Sequence, residues 1–107
     1  MRWYKHLYVG EKAKKRRFSI IQGIRLGRLS VGVHVITPPS NPQNVLDIYP
    51  ASVLLLDYYK NQKELLILGI GADYEEALMV AGQLVTDLYR TTGGFSLWQF
   101  LEKDGLT

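Results

Sequence analysis

Lys12-Ala13-Lys14-Lys15-Arg16-Arg17 is a run of cations broken by a single alanine, and Trp3, Tyr4, His6 and Tyr8 precede it. Clustered Lys and Arg neutralise phosphates and release their counterions, while aromatic rings among them can stack on unpaired bases. The chemistry indicated is non-covalent capture of an anionic partner by Lys12, Lys14, Lys15, Arg16 and Arg17. That partner is a nucleic acid, an acidic protein surface or a membrane surface. A solvated helix face beside an edge strand whose lysines discourage pairing would carry the same residues.

Other chemistries find fewer residues. The turn Gly69-Ile70-Gly71-Ala72-Asp73-Tyr74 invites a phosphate-binding reading, because glycines at a helix N-terminus expose backbone N–H groups. The third glycine of the dinucleotide fingerprint would fall at Tyr74, and Asp73, Glu75 and Glu76 place negative charge where an anion should sit. His6 and His34 are far apart in sequence and no carboxylate cluster joins them, which is short of a zinc ligand set. There is no cysteine and no Gly-x-Ser-x-Gly elbow. Glu75 and Glu76 are adjacent on a helix and point in different directions. No catalytic residue, cofactor or metal is therefore expected, and the sequence leans away from an enzyme.

Among the elements that carry these residues, the clearest is 73–91. Asp73 and Glu76 have capping-box spacing, Ala77, Ala81, Leu84, Val85 and Leu88 recur at helical period, and Gly93-Gly94 stops the helix. Ser96 can then cap a short last helix presenting Leu97, Trp98 and Leu101 to the core. The stretch 64–71 is apolar on both faces, which suits a strand in the middle of a covered sheet. Residues 31–37 predict a strand with Val31, Val33 and Val35 on one face and His34 and Ile36 on the other. Residues 45–49 suit a further strand, and Pro50 is placed to open a helix through Leu54, Leu55 and Tyr58. Residues 11–26 predict a helix whose inner face holds Ala13, Ile20, Ile21, Ile24 and the stem of Arg17. The alternative there is a hairpin into 31–37, since Gly23 weakens a helix. Residues 3–9 add a short edge strand.

Strands alternating with helices predict an α/β fold: a small two-layer sandwich with a mostly parallel sheet of about three strands and helices packed on it. An α+β fold with an N-terminal hairpin is the alternative. The chain has 107 residues, 47% hydrophobic and 21% charged, the composition of an ordinary globular protein with one core. A single domain over 1–107 is expected.

Lack of cysteine excludes a disulfide framework and fits a reducing compartment. The N-terminus has no apolar stretch of signal-peptide length. The longest apolar runs, 53–56 and 65–68, are far too short to cross a bilayer core of about 30 Å. The expected location is the cytoplasm, without a transmembrane segment.

Charge divides the chain. Residues 1–28 hold nine Lys or Arg against Glu11 alone, a balance of +8, and residues 29–107 hold four bases against nine acids, a balance of −5. The halves are complementary, so self-association into a homodimer, with Tyr58 and Tyr59 as an aromatic patch, is a second expectation.

Read together, Tyr8-Val9-Gly10-Glu11, Val33-His34-Val35-Ile36-Thr37, Gly69-Ile70, Tyr74-Glu75-Glu76-Ala77-Leu78 and Tyr89-Arg90-Thr91-Thr92-Gly93 give the chain a likeness over nearly its whole length. It resembles a family of small uncharacterised bacterial proteins. The resemblance implies a free-standing domain with a basic first helix, and it assigns no activity or ligand to any residue.

Overall fold

The computed structural model describes residues 1–28, 31–56 and 64–103. A strand β1 (Arg2–Val9) leads into two short helices, α1 (Glu11–Lys14) and α2 (Arg17–Arg25). Strands β2 (His34–Thr37) and β3 (Asp47–Pro50) follow, then a 3-10 helix (Ala51–Leu55), strand β4 (Leu66–Gly71), helix α3 (Tyr74–Thr92) and helix α4 (Leu97–Lys103). The four strands form one sheet in the order β1-β4-β2-β3.

That sheet is mixed, which corrects the expectation of a mostly parallel sheet of about three strands. Only β1 and β4 run parallel, whereas β2 is antiparallel to both β4 and β3. The reason lies in the connections. The Pro-containing loop 38–46 joins β2 to β3 without a crossover helix, so β3 returns beside β2 in the opposite direction. Helices α1 and α2 do separate β1 from β2, but β4 is inserted between those strands and the helices make no parallel crossover from one to the other.

The sheet is covered on both faces, so the body has three layers, not two. On one face Tyr4, Ile36, Leu66 and Leu68 pack with Val80, Leu84 and Leu88 of α3 and with Leu97, Phe100 and Leu101 of α4. On the other face Val33, Val35, Ile67 and Ile70 pack with Ala13 of α1, Ile20 and Ile24 of α2, and Ala51 and Leu54 of the 3-10 helix. Every residue of β4 is buried, as its double-faced apolar character requires. Its alternation breaks at Leu68–Gly69: Leu66 and Leu68 face α3, while Ile67 and Ile70 face α2. The register against β1 shifts over the same stretch, between Trp3 and Tyr8.

Several local expectations change in detail. Residues 11–26 are helical and not a hairpin, but the helix is divided at Lys15–Arg16, where α1 closes with a tight Arg16 N–H to Ala13 carbonyl bond of 2.9 Å. Arg17 is exposed and takes no place on the buried face. Strand β2 begins only at His34, leaving Val31 in solvent. Pro50 ends β3 and precedes a single 3-10 segment, while Tyr58 and Tyr59 lie outside the described residues. In α4 it is Phe100 that enters the core with Leu97 and Leu101, and Trp98 is exposed. Gly93, at φ 74°, terminates α3 in the left-handed conformation that glycine adopts without strain.

Candidate anionic-partner interface

Residues of α1 cannot cap their own helix. The position before it is Gly10, which has no side chain to accept from the first N–H groups. Glu76, in the first turn of α3, supplies the acceptor: its carboxylate takes the backbone N–H of Lys12 at 2.7 Å and of Ala13 at 3.1 Å. The same carboxylate accepts from the Ala72 N–H at 2.9 Å. Burial pushes the Glu76 carboxyl upward, but the three backbone donors outweigh it and hold the group below its ordinary value. Glu76 is therefore a buried anion held by three main-chain N–H groups, and it clamps the basic segment onto the start of α3.

Asp73 completes half of the expected capping box, accepting from the Glu76 N–H at 2.8 Å. The reciprocal half is replaced by the Glu76 contacts with Ala72 and α1. Asp73 also receives Lys12 Nζ at 3.1 Å. The Glu76 N–H and then Lys12 hold the Asp73 carboxyl low, and Asp73 in turn raises the Lys12 ammonium.

This junction divides the cationic run. Lys12 is engaged by Asp73 and Lys14 by Glu11 at 2.9 Å. Lys15, Arg16 and Arg17 are exposed and form no ion pair among the described residues. An open groove of about 520 Å³ runs along α2 beside them, lined by Lys14, Lys15, Arg17, Phe18, Ile21 and Arg25. Phe18, one of its lining residues, is 77% exposed. Sequence reasoning missed Phe18, Ile21, Gln22 and Arg25 as partners of the run. Their signal was present: Arg17, Ile21 and Arg25 recur at every fourth position, as do Phe18 and Gln22.

The interleaving of aromatics with cations is mostly undone by the fold. Tyr4 is buried under α3 and α4, with its ring edge-on to His6. Tyr8 donates its hydroxyl to Asp87 of α3, on the sheet face opposite α2. Trp3 alone turns toward α2, where the Arg25 guanidinium lies 5.7 Å from its ring centroid.

The glycine turn after β4 serves packing. A Cβ on Gly71 would lie 2.5 Å from the Ala77 backbone nitrogen, so the missing side chain lets α3 approach the strand. Asp73 and Glu76 already occupy the donors around the start of α3. His34 Nδ1 lies 2.7 Å from the Gly32 carbonyl, and the His6 ring packs edge-on against Tyr4. Among the described residues no three His, Asp or Glu side chains converge as a metal site would need, and no helix is long and apolar enough to cross a membrane.

No family model, curated protein or solved structure matches the chain.

Proposed function

We propose that this is a cytoplasmic binding module, without catalytic activity or cofactor, whose α1–α2 surface engages nucleic acid. One observation carries the reading: Lys15 and Arg17, which form no ion pair among the described residues, share a groove with Arg25 and an exposed phenylalanine ring. Free cations supply phosphate neutralisation and counterion release. Phe18 supplies a flat apolar surface on which an unpaired base can stack, which favours single strands over duplex. An acidic protein surface would satisfy the cations equally well but gives a lone, solvent-facing aromatic ring no role.

The test is fluorescence anisotropy with labelled single-stranded and duplex DNA and RNA over a salt titration. Binding should weaken with salt at a logarithmic slope of about −0.7 for each phosphate contact on a single strand. The triple variant Lys15→Ala, Arg16→Ala, Arg17→Ala should lose most of that slope, and Phe18→Ala should lower single-strand affinity while sparing duplex. Absence of binding at low salt, or binding indifferent to the triple variant, overturns the proposal. Binding to an acidic protein or to anionic vesicles with none to nucleic acid assigns the face to that other class.

A further inference from the structure

The outer flank of α3 carries an apolar stripe that nothing in the described chain covers. Tyr74, Leu78, Gly82, Val85 and Tyr89 recur at spacings of four, four, three and four along the 19-residue helix. That is the spacing of one continuous helix face. Tyr74, Leu78 and Tyr89 are about half exposed, Val85 is partly exposed, and a Cβ on Gly82 would meet nothing within 4 Å. This flank is distinct from the buried face, which holds Ala77, Val80, Leu84 and Leu88. The two end rings are held from outside the helix. Tyr74 packs edge-on against His34 at 5.4 Å between centroids, and Tyr89 lies 5.5 Å from Phe95. The stripe is thus an ordered surface at both ends and flat in the middle.

Charges beside the stripe indicate its occupant. Glu75 lies on one margin near the start of α3, Arg90 lies further round the helix on the same side near its end, and neither makes an ion pair among the described residues. We infer that α3 pairs antiparallel with α3 of a second copy of this chain, about a two-fold axis passing beside Gly82. In that arrangement residues before Gly82 on one copy face residues after it on the other. Leu78 and Tyr74 then lie against Val85 and Tyr89 of the second copy, at both ends of the interface at once. In antiparallel helices related by such an axis, each margin meets the same margin of its mate, so Glu75 comes within reach of Arg90 of the second copy, twice. Gly82 at the crossing lets the two backbones approach. The pattern is self-complementary, as an isologous contact requires, and it needs no partner of another sequence. The inference is independent of the α1–α2 surface, because α3 and α2 lie on opposite faces of the sheet.

Sedimentation equilibrium and a cysteine trap test the pairing. The chain contains no cysteine, so Gly82→Cys introduces the sole thiol, and mild oxidation should give a dimer joined at that position. A control thiol at Phe18→Cys, exposed on α2 across the sheet from α3, should give none. Glu75→Arg and Arg90→Glu should each weaken dimerisation by roughly tenfold through juxtaposed like charges, and the double variant should restore it. Circular dichroism distinguishes a folding defect from loss of association, and the double variant guards against it, since a fold-damaging change is not rescued by a second one. A monomer at high micromolar concentration, a dimer in which Gly82→Cys does not cross-link, or a double variant no better than the singles overturns the inference.

Discussion

The Glu76 carboxyl carbon lies 2.2 Å from the position a Cβ on Gly10 would occupy. The two residues belong to segments 66 positions apart, and each requires the other. Glycine before α1 lets the carboxylate reach the Lys12 and Ala13 N–H groups, and the carboxylate supplies the cap that glycine lacks. The junction holds the basic segment against the sheet while three of its cations stay in solvent.

Gly10→Ala should therefore destabilise the fold by about 2 kcal/mol, because a methyl group cannot share the space of the carboxylate and the α1 bonds must lengthen or break. Urea unfolding at neutral pH measures this. A midpoint equal to that of the unchanged chain would show that the carboxylate moves aside freely.

Acid should weaken the same junction. Glu76 and Asp73 both have folded values below their ordinary ones, so the unfolded chain binds more protons and stability rises with pH in that range. Their contribution is fully present above the ordinary carboxyl range and is lost as pH falls through it toward the folded values. Glu76→Gln removes one titrating group and sets an amide NH2 against backbone donors. It should cost about 1–3 kcal/mol at neutral pH and flatten the acid limb of a stability profile. Thermal unfolding between neutral pH and pH 3 reads both effects, and an unchanged acid limb would remove Glu76 as their source.

Gly71→Ala should be the more damaging glycine change, because its Cβ would meet the backbone of α3 at Ala77, which cannot rotate away. Gly93→Ala meets no atom within 4 Å and only forces a non-glycine residue to φ 74°, at a cost of about 1 kcal/mol. Comparing the two by denaturant midpoint separates steric exclusion from backbone strain. Equal losses would contradict the close β4–α3 approach.

Within the cationic run, Lys12→Ala should leave nucleic-acid affinity nearly unchanged, since Lys12 already faces Asp73. Arg17→Ala should weaken binding several-fold and reduce the salt slope by about 0.7. The contrast is read in one anisotropy series, and equal effects at the two positions would mean that charge density alone, not the groove along α2, governs the contact.

What could be read from the chain by itself was whatever repeats over a few residues. The period of Ala77, Leu84 and Leu88, the Asp73 cap and the Gly93 stop marked α3 with nearly its observed ends, because each is an interaction within one or two helical turns. The apolar run before it marked β4 as a central strand, because burial on two faces leaves no polar alternation. The cluster of positive charge was equally plain. Tertiary structure decided the direction of β2, the third layer, the diversion of Glu76 from its own helix to α1, and which cations remain free beside Phe18. Those outcomes depend on hydrogen bonds, packing and ion pairs between residues far apart in the chain. Such contacts leave no local period, so strand order and the fate of each lysine follow only once the sheet has brought α1 and α3 together.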